Sequence, residues 1–187
     1  VTATWDNRDK ALDATRGYFL NAGIEPFVGF GSTGSGARIT GDARAYKALG
    51  DRFVLAGRAQ IGTVLGPSIL ATPRDFLFFS GGAGTVRGQP YQSLGVNITR
   101  GPATIKIGGR TFIGLSGEAR VKINDRLGFV GFYDAGYISA FGLGEGNGTW
   151  QSGAGIGLRY DTGIGPIRFD IAAPVEGPTS DGVQFYV

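Results

Sequence analysis

The feature that most constrains this chain is a strict alternation of apolar and polar residues over 111–123. The odd positions are apolar or small: Ile113, Leu115, Gly117, Ala119, Val121 and Ile123. The even positions include polar and charged residues: Ser116, Glu118, Arg120 and Lys122. Successive side chains of a β-strand point to opposite faces, so the pattern predicts a strand with one apolar face and one charged face.

The same alternation recurs in four further segments, at 37–46, 52–63, 151–161 and 166–172. In the last of these, Arg168 and Asp170 oppose Ile167, Phe169 and Ile171. A soluble β-sandwich and a membrane β-barrel can both contain such strands. Alternation therefore predicts an all-β protein without deciding between the two.

Composition favours a sheet that lies between lipid and water. The 187 residues include 35 Gly, only 18% are charged, and the mean hydropathy is +0.02. The absence of Cys and His removes the usual zinc ligands and the general base of a Ser-His-Asp triad. The net charge of +3 is spread among interleaved acids and bases, which argues against nucleic-acid binding. We therefore expect no enzymatic activity, no cofactor and no metal site.

The connections between the predicted strands alternate in length. Short turns fall at 9–16, 48–51, 124–125 and 161–165, and longer glycine-rich loops fall at 26–36, 65–109, 139–149 and 174–182. Short periplasmic turns and long extracellular loops are typical of outer-membrane barrels. The sequence thus predicts an antiparallel transmembrane β-barrel in contact with the lipid of a bacterial outer membrane.

The strand count predicts a part of a larger barrel. We count about eight to nine strands, at 1–8, 17–25, 37–47, 52–64, 110–123, 127–138, 150–161, 166–173 and 183–187. Nine strands place the two ends of the chain on opposite sides of the membrane, whereas complete bacterial barrels have an even number with both ends in the periplasm. We expect residues 1–187 to form one C-terminal barrel region.

The loop at 65–109 is far longer than ordinary connections, and loops beyond about 15 residues are usually functional or disordered. Its apolar run, Phe76 to Phe79, is unsuited to a solvated loop. Glycines at Gly81, Gly82 and Gly84 allow tight bends before the segment Val86-Arg87-Gly88-Gln89. We predict that this loop folds into the barrel lumen with Arg87 at its tip.

A buried arginine needs an acidic partner, and the alternation places Glu118 and Asp134 on the inner face. The short turn at 124–125 makes their strands neighbours, so one guanidinium could bind both carboxylates. An alternative remains open, in which Glu118 pairs with Arg120, Lys122 or Arg159 along the wall and leaves the loop free.

Several ordered motifs resemble one family. The segment from Gly81 to Tyr91, the element from Phe132 to Gly136, the stretch from Gly165 to Asp170, and the opening Asp6-Asn7-Arg8-Asp9 with Thr15-Arg16-Gly17 are similar to the C-terminal barrel half of the BamA/TamA superfamily, the bacterial surface antigen family. The segment Val-Arg-Gly-Gln-Pro-Tyr looks closest to the TamA-like branch. Gln89 departs from the aromatic residue usual at its position, and the terminal aromatic signal is missing.

The resemblance implies a sixteen-stranded barrel preceded by periplasmic POTRA domains, with Arg87 held by acids that match Glu118 and Asp134. We therefore expect the POTRA domains and the N-terminal barrel strands to lie outside this chain. The implied function is non-enzymatic insertion or translocation of proteins, assisting the assembly of autotransporters and other β-barrel clients in the outer membrane of a Gram-negative bacterium. The implied partners are nascent clients and a periplasmic or inner-membrane assembly protein. A two-partner secretion pore for a soluble client, or a passive small barrel, remains the alternative.

Overall fold

The computed structural model describes residues 1–162, 165–178 and 182–187. Within these ranges lie eleven β-strands and one single-turn 3₁₀ helix, Arg74–Phe76: β1 Thr2–Asp6, β2 Gly17–Phe27, β3 Gly36–Leu49, β4 Phe53–Leu65, β5 Val96–Arg100, β6 Ala103–Ile107, β7 Thr111–Lys122, β8 Leu127–Ser139, β9 Gly148–Asp161, β10 Pro166–Glu176 and β11 Gln184–Tyr186. No helix of the described residues is long and apolar enough to cross a membrane.

Nine of these strands form one antiparallel sheet in the order β1-β2-β3-β4-β7-β8-β9-β10-β11. The predicted all-β antiparallel class is confirmed, and this main sheet has nine strands where about eight to nine were predicted for the chain. Over the described residues, no pairing joins β1 to β11, so this sheet does not close on itself. Parts of two predicted connections, 161–165 and 174–182, lie outside the described residues.

Most strand boundaries differ from the prediction by one to three residues, and two of these differences have a clear structural reason. The first strand ends at Asp6 rather than at residue 8, because Asp6 turns back to accept hydrogen bonds from the backbone and side chain of Arg8. The strand predicted at 166–173 continues to Glu176, where its pairing with β9 becomes irregular.

The two faces of the sheet follow the alternation read from the sequence. Outward apolar side chains are 40–56% exposed: Leu55, Ile61, Leu115, Ile156 and Ile167. The inner face carries the buried polar residues, including Asp134 and Asp170. An exposed apolar face of this extent suits contact with lipid rather than water.

The buried apolar residues lie between the inner face and the long loop. One cluster comprises Val64, Phe78, Leu94, Phe112 and Ile138, contributed by β4, β7, β8 and the loop. A second cluster joins Val130, Phe132 and Ala172, with Tyr186 packed against it. The long loop therefore supplies part of the core that a single curved sheet cannot form alone.

The loop between β4 and β7 is more structured than the sequence suggested. Its second half forms the hairpin of β5 and β6, in which Val96 pairs with Ile107 and Ile98 with Ile105. This hairpin was missed, although its alternating Val and Ile residues flank a turn at Gly101, where φ is +59°. The connection at 65–109 therefore contains a β-hairpin in addition to its irregular part, and its place inside a closed lumen stays a prediction.

The turn between β1 and β2 folds across the inner face at the opposite end of the strands. The side chain of Arg168 in β10 donates to the carbonyl of Leu12 at 2.9 Å. Arg120 in β7 donates to the carbonyl of Ala14 at 3.4 Å, and Ala14 is buried. These contacts span most of the sheet, so the sheet is strongly curved.

Candidate functional site

The loop returns to the wall through a ladder of isolated bridges, which pair Phe78 with Gly109, Ser80 with Leu94 and Gly82 with Val86. The amide of Gly82 donates to the carbonyls of Val86 and Gln89, each at 3.0 Å, which closes a tight turn.

Three glycines of this segment, Gly81, Gly82 and Gly88, have φ of +114°, +91° and +90°. Only glycine adopts such values without strain. Gly84 has no positive φ, and a Cβ there would meet open space. The backbone conformation therefore favours glycine at Gly81 and Gly82, whereas at Gly84 it accepts other residues.

The tip presents Arg87 to Asp134 of β8. Arg87 Nε lies 2.8 Å from Asp134 Oδ2, Nη2 lies 3.0 Å from Oδ1, and the backbone amide of Arg87 lies 3.1 Å from Oδ2. The side chains are 10% and 2% exposed. A bidentate pair of this kind is strong because both hydrogen bonds are charge-assisted and shielded from water.

Two more carboxylates complete the site. Arg87 Nη1 lies 2.9 Å from Glu118 Oε1 and 3.2 Å from Asp170 Oδ2. Glu118 also pairs with Arg120 at 2.7 Å, and Asp170 also pairs with Arg159. Three arginines thus face three carboxylates, so the buried cluster is balanced in charge.

Glu118 binds the loop arginine Arg87 and the wall arginine Arg120 together, so its pairing with the wall does not leave the loop free. Asp170 was missed as a partner. The signal was present, since Asp170 shares the polar face of 166–172 with Arg168. Its distance from Arg87 along the sequence concealed the contact.

Neutral groups hold the pair in place. Ser116 Oγ donates to Asp134 Oδ1 at 2.6 Å, and the two residues are directly paired across β7 and β8. The Arg87 guanidinium carbon lies 3.5 Å from the centre of the Phe132 ring, which is cation–π geometry. Phe132 and Asp134 are two residues apart in β8, so they project from the same face.

The other predicted residues of the tip are also buried against the wall. Val86 is fully buried, and a Cβ on Gly136 would collide with it and with Ser80. The Gly88 amide donates to the Tyr186 hydroxyl at 3.0 Å. Gln89 Nε2 donates to the carbonyls of Ser152 and Glu176 at 2.8 and 3.0 Å. The structure brings Val86, Arg87, Gly88, Gln89, Glu118 and Asp134 together in one region.

The glycines of β9 make room for this arrangement. A Cβ on Gly153 would overlap the carbonyl of Arg87, and one on Gly155 would meet the Phe132 ring. A Cβ on Gly157 would overlap the Asp170 carboxylate. These inward positions explain why every second residue here is glycine.

The chemistry of the site is that of a fixed contact. A guanidinium stays protonated at all physiological pH values, and its donors are directed at carboxylates and a hydroxyl of the same chain. In the described part of the chain, no group of three or more His, Cys, Asp or Glu residues is arranged to hold a metal ion. The contacts of Arg87 join the loop to strands β7, β8 and β10.

The family of this chain follows from a comparison of its whole length. A family model described as the Omp85 superfamily domain matches residues 1–187. This chain belongs to the Omp85 superfamily. Among solved structures, this Omp85 chain is similar to a crystal structure of BamA from Haemophilus ducreyi that lacks POTRA domains 1–3, with a TM-score of 0.80 and 20% sequence identity.

The match covers 98% of this Omp85 chain and 40% of the BamA chain. At this identity the likeness concerns the fold, which agrees with the antiparallel sheet of the present structure. The family and the barrel-like fold together indicate an outer-membrane protein.

Proposed function

We propose that the protein containing this Omp85 chain inserts or translocates other proteins at the bacterial outer membrane without enzymatic chemistry. The observation that carries the proposal is the family match over residues 1–187. The similarity to BamA adds support at the level of fold. Nascent β-barrel proteins are the proposed clients, and autotransporters are the class we favour because Val86 to Tyr91 resembles the TamA-like branch.

The family match and the similarity to BamA also support a proposed domain arrangement. Residues 1–187 act as the C-terminal region of a larger, sixteen-stranded barrel, with the loop from 65 to 109 inside the lumen. POTRA domains elsewhere in the protein bind a periplasmic or inner-membrane assembly partner. A client strand adds to a barrel edge through backbone hydrogen bonds, which lowers the barrier to its insertion because its polar groups are paired before they enter lipid.

In this proposal the Arg87 site is an anchor. A flexible loop inside a lumen would compete with a client and leave buried charges unpaired. The contacts to Asp134, Glu118 and Asp170 fix the loop tip against the wall. Other parts of the barrel can then change conformation while the wall around Arg87 stays rigid.

Depletion of the full-length protein in its own host tests the proposal. Outer-membrane levels of an autotransporter, of a porin and of a secreted soluble protein are measured by quantitative immunoblotting. We expect the autotransporter to fall first and most strongly, and re-expression of the wild type to restore it. A loss of every outer-membrane barrel to the same extent would support a general insertion role and reject the autotransporter branch.

Two other outcomes would reject the proposal. A selective loss of the secreted protein, with both membrane proteins at normal levels, would indicate a two-partner secretion pore. Unchanged levels of all three proteins, with altered uptake of small solutes, would indicate a passive barrel. Expression of Arg87→Ala in the depleted host separates the anchor from the family role once immunoblotting has shown the variant barrel in the outer membrane at the wild-type level.

A further inference from the structure

The loop tip meets the wall at an irregularity in strand pairing. β9 and β10 pair regularly as far as Pro174 and Gly153, and the register then shifts so that Glu176 pairs with Ser152. The extra residue, Val175, makes this a β-bulge, which interrupts the ladder of hydrogen bonds. Pro174 has no N–H to donate. The regular ladder is therefore interrupted beside the Ser152 and Glu176 carbonyls.

Gln89 donates to both carbonyls. Its amide nitrogen lies 2.8 Å from the Ser152 carbonyl oxygen and 3.0 Å from the Glu176 carbonyl oxygen, and these two residues are the pair that resumes the register. The nitrogen of a carboxamide carries two hydrogens, so one side chain can bind both carbonyls. Gln89 is fully buried. Ser152 is buried as well, so loss of the amide would remove a donor from a buried carbonyl at Ser152 and from a part-buried carbonyl at Glu176.

The same tip holds the edge strand β11. The Gly88 amide lies 3.0 Å from the Tyr186 hydroxyl, and that hydroxyl lies 3.4 Å from the Gln89 carbonyl oxygen. β11 is three residues long and pairs with β10 only at Asp170, Ile171 and Ala172. The contact of Tyr186 with the loop adds to these three pairs and links β11 directly to the tip.

We propose that the Gly88–Gln89 tip couples the position of the loop to the pairing of the last strands. With the tip seated, the carbonyls of the bulge have donors and Tyr186 is held. With the tip withdrawn, both carbonyls lose the Gln89 donors and β11 loses its contact with the loop. Gln89 is the positioning residue, and Tyr186 extends its effect to the edge strand. The coupling is a property of the folded wall and does not depend on which client the protein serves.

Hydrogen–deuterium exchange of the full-length protein in detergent micelles tests the coupling. Gln89→Leu keeps the size of the side chain and removes both donors. We expect amides of 184–186 to exchange about tenfold faster, with β2 and β3 unchanged, since a lost hydrogen bond changes local opening by about this factor. Asn97→Leu, which removes an exposed amide from the same loop, is the matched control and should leave β11 at the wild-type rate.

Coupling must also operate in reverse, because the free energy that joins two sites is reciprocal. Tyr186→Phe removes only the hydroxyl and should speed exchange of the Gly82 amide, which bonds within the tip turn. If Gln89→Leu does not fold, the exchange rate of the Gly82 amide in Tyr186→Phe tests the coupling on its own. Faster exchange at the tip with no change in 184–186 for Gln89→Leu, or no change at Gly82 for Tyr186→Phe, would overturn the proposal.

Discussion

Two arginine–carboxylate clusters lie on the inner face of this sheet, and only one of them contains an arginine of the loop. Arg44 and Arg58 both bind Asp42, with closest distances of 2.8 and 2.7 Å. Around Arg87 the distances are similar, at 2.8 to 3.2 Å. The burial differs, because the Arg44 and Arg58 side chains are 33% and 30% exposed and Arg87 is 10% exposed.

The origin of the charged groups differs as well. Arg44 and Arg58 are direct partners in the register of β3 and β4, so strand pairing alone brings them beside Asp42. The partners of Arg87 lie 47 and 83 residues away at Asp134 and Asp170. No backbone ladder joins Arg87 to either strand. The ion pairs around Asp42 therefore stabilise a sheet that strand pairing has already formed. The ion pairs around Arg87 attach a separate loop to the sheet.

The largest expected effect is that of Arg87→Ala. It leaves Asp134 buried without an arginine partner, and breaking a buried pair costs about 3–5 kcal/mol. Limited proteolysis of the folded full-length protein should cut the loop between 81 and 95 much faster than in the wild type. Arg74→Ala removes an exposed arginine from the same loop and is the matched control. Equal cleavage of Arg87→Ala and Arg74→Ala would show that the ion pairs do not hold the loop.

A charge swap tests whether the pair itself carries this effect. Arg87→Glu combined with Asp134→Arg restores opposite charges at the same two positions, so protection of the loop should return in part. The recovery is incomplete because Glu118 and Asp170 still face the tip. A double variant no better protected than Arg87→Glu alone would contradict a direct pair.

The second prediction loosens the tip without altering a charge. A Cβ on Gly153 would overlap the Arg87 carbonyl, so Gly153→Ala should push the loop off β9 at a cost of about 1–3 kcal/mol. Gly131→Ala is the matched control, since a Cβ there meets nothing within 4 Å. The folded fraction of each variant is measured as the intensity of the folded band on cold gel electrophoresis after incubation in increasing concentrations of urea. Equal urea midpoints for Gly153→Ala and Gly131→Ala would show that the close approach of the loop to β9 does not require glycine at 153.

The third prediction concerns the more exposed cluster. Arg58→Ala leaves Asp42 paired with Arg44 and removes one hydrogen bond from Arg58 to the Gly84 carbonyl. Partly exposed ion pairs contribute about 0–1 kcal/mol. We expect the urea midpoint to fall slightly and the loop to remain resistant to protease. Cleavage as fast as in Arg87→Ala would show that the Gly84 contact matters as much as the buried one.

The sequence predicted the wall better than it predicted the loop, for a physical reason. A strand has a period of two, so the apolar positions of β7 and β8 determined that Glu118 and Asp134 face inward. Asp170 obeys the same rule, but a turn links only adjacent strands, and no sequence signal shows that one guanidinium reaches β7, β8 and β10 together. The partners of Gln89 are backbone carbonyls at a bulge, and backbone acceptors leave no pattern in a sequence.

The smallest expected effect lies at the turn between β1 and β2, where a carboxylate again holds a connection but is exposed. Asp9 accepts hydrogen bonds from the Thr15 hydroxyl at 2.6 Å and from the amides of Thr15 and Arg16. These bonds, led by that of the Thr15 hydroxyl, lower the pKa of Asp9 from 3.8 to about 2. Because the folded-state pKa is the lower one, the bonds stabilise the turn above pH 3.8 and are lost as the pH falls through 2.

Thr15→Val removes the leading contact while preserving the shape of the side chain. The pKa of Asp9, followed by the carboxyl chemical shift in detergent micelles, should then move back toward 3.8. Thr33→Val, in a loop at the other end of the strands, should leave the pKa of Asp9 near 2. Protease resistance of the long loop should be the same in both variants, because Asp9 has no contact with Arg87. Faster protease cleavage of the long loop in Thr15→Val than in Thr33→Val would contradict a purely local role for the exposed Asp9 contact.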